Sequence, residues 1–158
     1  MARAALFLAR FCSSAWLGAA TLFVIVGVLE VTRGGLDSRT RDVLVGLRFP
    51  PFYLTGAILI GFSWVSACAA EFPPELPQRR RAFAILSLLT VMVLMTVDYF
   101  WIYTPLSAMV NPPGQARPAA FITYHEASKN INFVGLFFSL VAAIALNFPS
   151  RAAGRFSS

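Results

Sequence analysis

The chain has 158 residues, of which 58% are hydrophobic and 13% charged, and a mean hydropathy of +0.69. A soluble domain of this length has too little interior to hide so much apolar surface, so the composition excludes an ordinary soluble fold and points to one integral membrane domain. The net charge of +6 does not point to nucleic acid, because the arginines lie between and beside apolar runs, where they meet lipid headgroups and set topology.

The N-terminus, MARAALFLAR, begins like a secretory signal, but residues 11–29 are uncharged and are longer than a signal's apolar core. They match the ~20 residues needed to cross ~30 Å of hydrocarbon, so a retained first span is expected over residues 11–31. The connection that follows contains LDSRTRDVLVGLRF, in which Leu36, Val43, Leu44 and Leu47 share a face opposite Arg41 and Arg48. This pattern predicts a short amphipathic helix in the interface, capped by Asp37 or Ser38 and ended by Pro50-Pro51. A second span is expected over 52–70, where Ala57 with Gly61 and Ser63 with Ala67 permit close helix packing.

EFPPELPQRRR then forms a polar turn, with the triple arginine as an orientation anchor. The third span is expected over 82–104, interrupted by Asp98, closed by the aromatic group Tyr99, Phe100, Trp101 and Tyr103, and ended near Pro105. After the breaker-rich VNPPGQARP, a last helix can start near residue 119, with its membrane part at 131–148. The expected fold is thus an all-α up-down bundle of four spans in one domain, 1–158, with a short interfacial helix between spans one and two.

Seven basic residues fall on the side of the termini and six on the other. The compact Arg79-Arg80-Arg81 group in a short loop tips the balance toward cytoplasmic termini. Twelve arginines against one lysine, with abundant alanine, reflect a GC-rich coding bias and suggest a bacterial inner membrane. Cys12 and Cys68 lack metal or redox spacing and read as small apolar residues.

Up-down topology collects the chemistry at one membrane face. Arg48, Tyr53, Asp98, Tyr99, Tyr103, Tyr124, His125, Ser128, Lys129 and Asn132 gather there as the candidate binding cluster, together with Glu30 and Glu126. At 3.6 residues per turn, His125, Ser128, Asn132, Gly135, Ser139 and Ala142 form one stripe that should face protein. Asp98 lies roughly 10 Å below the helix end at 1.5 Å per residue. A carboxylate near mid-membrane costs on the order of 2.5–3.5 kcal/mol on the insertion scale, so it needs a partner. His125 and Lys129, one turn apart, are the candidates, and an Asp98–His125 pair would make a proton or cation site. The bland alternative is a polar pair that fixes helix register.

Catalysis finds little support. Ser128 follows His125 by three residues, but no third triad member or oxyanion donor is identifiable. One histidine with Asp98 and Glu126 does not complete a metal site, and no cofactor is expected. A haem held by His125 from each of two chains stays open. Expected partners are membrane lipids and either a second copy, packed through the Gly135, Ser139 and Ala143 seam, or another membrane protein.

Phe49-Pro50-Pro51-Phe52-Tyr53 and Phe121-x-x-Tyr124-His125-x-x-Ser128-x-x-x-Asn132 resemble signatures of the transmembrane protein 205-like family, domain of unknown function 4149. The resemblance implies four spans and marks Phe52, Tyr53, Tyr124, His125, Ser128 and Asn132 as family-type positions. Trp101 and Pro105 are spaced one residue more widely than that family's pattern. No molecular activity is implied. The functional expectation is a non-enzymatic membrane protein that binds or conducts a small solute, ion or proton, or alternatively an assembly subunit.

Overall fold

The computed structural model describes residues 2–33, 35–70 and 78–148. Among them are four long helices: α1 (Ala2–Thr32), α2 (Ser38–Ala69), α3 (Gln78–Met109) and α4 (Ala120–Asn147). All four are long and apolar enough to cross a membrane. They pack in a ring, α1 on α2, α2 on α3, α3 on α4 and α4 back on α1, as expected for consecutive helices joined by short connections. The polar turn between α2 and α3 lies mostly outside the described residues, as does the tail after Phe148.

The side-chain distribution is that of a bundle with hydrocarbon as its solvent. Large apolar groups such as Phe7, Leu22, Phe62, Phe83 and Phe133 point outward. The interior is built around small residues, Ala9, Ser63, Ala67, Ala84, Ser87, Ser139 and Ala142, interleaved with Trp16, Ile60, Leu88 and Leu146. Small residues let helix backbones approach where no hydrophobic force drives association. Gly56 has the closest surroundings of the described glycines: a Cβ there would lie 2.4 Å from Met95 Cε and 2.6 Å from Trp16 Cη2.

Two proline-based expectations are corrected. Pro50-Pro51 does not separate an interfacial helix from the second span; both belong to α2, which runs unbroken for 32 residues. The prolines cannot donate to the carbonyls of Gly46 and Leu47, but the flanking rings hold the helix against α1. Phe23 meets Phe49 edge-on at 5.0 Å and stacks on Phe52 at 4.1 Å. The expected cap is present: Asp37 accepts from the Thr40 backbone N–H at 2.6 Å. That bond holds the Asp37 carboxyl below the usual carboxylate range.

The third span likewise does not stop near Pro105. Its helix switches to a π-helical turn over Asp98–Tyr103 and continues through Thr104–Met109. The Thr104 N–H bonds the Tyr99 carbonyl, five residues back. This wider turn eases the clash of the Pro105 ring with the carbonyl of residue 101 and lets the helix pass its proline.

At the end that carries the chain termini, arginines close the helix C-termini. Arg10 Nε donates to the Leu146 carbonyl at 2.7 Å, Arg80 Nε to Ala145 at 2.7 Å, and Arg81 to Cys68 at 3.0 Å. Arg80 also bonds the Phe148 carbonyl. Each satisfies orphan carbonyls and complements the negative end of a helix dipole. Arg80 and Arg81 thus have a structural task besides any orientation role.

Candidate functional site

The π turn decides which groups of α3 face inward. In a regular α-helix, residues five apart sit about 140° from one another, which would turn Tyr103 away from Asp98. The i→i+5 ladder brings them toward one face, and both are buried. Asp98 is 1% exposed. Its Oδ2 accepts from the Tyr53 hydroxyl of α2 at 2.6 Å and from Asn132 Nδ2 of α4 at 2.6 Å. One carboxylate oxygen therefore ties three helices. Asn132 Nδ2 also donates to the Ser128 carbonyl at 2.8 Å and approaches Ser128 Oγ at 3.3 Å.

The other carboxylate oxygen, Asp98 Oδ1, is buried without a hydrogen-bond partner. The ion pairs among the described residues are Arg48–Glu30, Arg117–Asp42 and Lys129–Glu126, so none involves Asp98. Around it Tyr53, Tyr99 and Tyr103 pack on one another with centroids 5.1, 5.1 and 5.8 Å apart, and Phe49 stacks on Tyr103 at 5.2 Å. The rings touch and leave no aromatic cage between them.

The expected Asp98 partners are corrected here. His125 is exposed and lies flat on Phe121, ring centroids 5.8 Å apart and 8° from parallel. Lys129 pairs with Glu126 at 2.7 Å on the exposed side of α4. Less than one turn separates the two outcomes: Ser128 and Asn132 face inward, and His125, three residues before Ser128 at the start of the stripe, is exposed. The rest of the stripe faces protein, with Ser139 and Ala142 buried. Ser139 Oγ accepts from Trp16 Nε1 at 3.2 Å. Ser139 and Ala143 are both buried within the chain. Arg48 is half-buried against Glu30 at 2.7 Å and sits over the Phe23 ring. Tyr124 is half-buried and outside the Asp98 hydrogen bonds.

A second polar knot, not foreseen from the sequence, lies about 16 Å along α2 from Tyr53 at 1.5 Å per residue. Asp42, 5% exposed, accepts from the Gly114 N–H at 3.0 Å and from Arg117 at 2.8 Å. Arg117 lies over Phe121, 4.3 Å from its centroid. Gly114 has φ +88°, and a Cβ there would meet Arg39 at 3.2 Å, so glycine suits this close approach. The only sequence signal was one cation in the loop and one carboxylate on the facing helix, 75 residues apart. Arg117→Ala should lower stability by about 1–2 kcal/mol and speed amide exchange at Gly114. Unchanged exchange there would show that the knot does not hold the loop.

Among the described residues no group of three or more His, Cys, Asp or Glu side chains is placed to hold a metal ion. The outward apolar shell, the four long helices and the interhelical polar cluster define an integral membrane protein. No protein-family model, curated protein or solved structure matches the chain.

Proposed function

We propose that this is a non-enzymatic membrane protein whose Asp98 cluster takes up and releases a proton or small cation between α2, α3 and α4. The observation that carries this reading is the buried carboxyl whose Oδ2 is doubly bonded while Oδ1 has no partner. A fixed structural pair would satisfy both oxygens, because an unpaired charge in hydrocarbon is expensive. A neutral acid carrying its proton on Oδ1 avoids that cost and leaves an exchangeable site. We place the chain in a bacterial inner membrane with cytoplasmic termini, and in the transmembrane protein 205-like family, on the sequence grounds above.

A second reading, an assembly subunit, draws on the tie of three helices at one oxygen, which suits a cluster that only fixes register. Proton counting separates the two. Wild-type protein in lipid nanodiscs should release one more proton per chain than Asp98→Asn when titrated from neutral to alkaline pH, where a carboxylate already ionised at neutral pH would release none. Identical proton counts would favour the register role. His125→Ala should leave the difference intact, because the histidine stands outside the cluster.

A further inference from the structure

Beside the cluster, α2 and α3 part to leave a groove of about 330 Å³. Its wall is apolar, formed mainly by Leu54, Ala57, Ile60, Met92, Met95 and Phe100. Leu54 and Phe100 are also among the exposed large apolar side chains, so the groove opens sideways, where hydrocarbon surrounds the bundle. Tyr53 belongs to both features: its ring lines the groove and its hydroxyl holds Asp98. Tyr99 lines the groove as well and packs edge-on against Tyr53 at 5.1 Å. Asp98 itself is not among the lining residues; Tyr99, its neighbour in the chain, is, and packing alone holds that ring.

A lipid-facing slot takes an apolar body. A carboxyl with an unpartnered oxygen and no cationic side chain beside it takes a positive charge, and tyrosine faces at the boundary attract the same charge. We infer that the groove admits a lipophilic monovalent organic cation from the bilayer. Its apolar body lies between α2 and α3, and its charge lies against Tyr53, Tyr99 and, once Tyr99 turns aside, Asp98. This rests on the reading that Asp98 carries an exchangeable proton. Binding then converts the carboxylic acid to a carboxylate paired with the cation, and one proton leaves to solvent for each cation bound.

The test is calorimetry of methyltriphenylphosphonium binding to the full chain in nanodiscs, with proton release and Asp98 proton exchange read in the same samples. Expected are saturable one-to-one binding, about one proton released per cation, and affinity rising about tenfold per pH unit while Asp98 holds its proton. Asp98→Asn and, independently, Ala57→Phe, which fills the groove, should each weaken binding at least about tenfold. Neutral triphenylphosphine should release no proton. Intact Asp98 proton exchange without saturable cation binding, or binding indifferent to Ala57→Phe, overturns the inference and leaves the proton site standing. Equal competition by triphenylphosphine would make the groove a lipid slot and also overturn it. Loss of both cation binding and Asp98 exchange would remove the inference and the function beneath it.

Discussion

Asp98→Ala should cost about 2–4 kcal/mol of stability, whereas Asp98→Asn should stay within about 1 kcal/mol of the wild type. Alanine removes the 2.6 Å acceptor of the buried Tyr53 hydroxyl and leaves only the Ser128 side chain beside it, a loss that approaches the about 1–3 kcal/mol of an orphaned buried donor. It also removes one of the bonds made by Asn132, which keeps its tie to the Ser128 carbonyl. Asparagine presents an oxygen of the same reach, able to accept from both Tyr53 and Asn132, and puts an amide where the neutral acid has Oδ1. The two variants therefore separate hydrogen bonding from charge. Unfolding in detergent or nanodiscs measures both. If asparagine proved as damaging as alanine, Asp98 would be acting as a charged acceptor, against the neutral-acid account; if alanine were harmless, the cluster would hold nothing together.

Gly56→Leu should be the most damaging single change in the apolar core. Even the first carbon of a side chain would meet Met95 Cε at 2.4 Å and the Trp16 ring at 2.6 and 2.8 Å. Met95 ends in a flexible methyl and can move, but Trp16 is held by Ser139 on one side and packs on Phe52 at 5.1 Å on the other. Overpacking of this kind costs about 1–3 kcal/mol, so Gly56→Ala should fall in that range and Gly56→Leu at or above its top. Adding Met95→Ala to Gly56→Ala should recover part of the loss. The two sites are in contact, so their effects should not add. A Gly56→Ala protein with an unchanged melting temperature would mean that α1, α2 and α3 are not packed this closely.

The four helices were legible because hydropathy over long windows is a strong signal, and the up-down topology followed from the short connections. The gathering of Tyr53, Asp98, Ser128 and Asn132 was legible for the same reason: helix order alone brings their ends together. Prolines misled the reading in two places. Pro50-Pro51 and Pro105 each remove a ladder bond, and a local rule ends the helix there. Aromatic packing on Phe23 carries α2 through the first pair, and a π turn carries α3 past the second. Neither remedy is visible in local sequence.

The partner of Asp98 was missed through a bias toward charge. Histidine and lysine looked like the natural company for a carboxylate, yet two neutral donors, Tyr53 and Asn132, hold it. The π turn also rotates Asp98 and Tyr103 relative to an ideal helix, so face assignments at 3.6 residues per turn lose their meaning there. Asp42 was missed because its partners lie in a distant loop, and nothing in the spacing of residues 42, 114 and 117 links them before the chain folds.

The protonation state of Asp98 is the point on which the account turns. The most direct measurement is the carboxyl ¹³C shift of Asp98 by solid-state NMR in lipid bilayers at neutral pH, assigned by its loss in Asp98→Asn. The account predicts a neutral-acid shift that moves to the carboxylate position in alkaline buffer, as a proton that can leave requires. A carboxylate shift at neutral and acid pH alike would contradict it and leave Asp98 as a fixed charge tying three helices together.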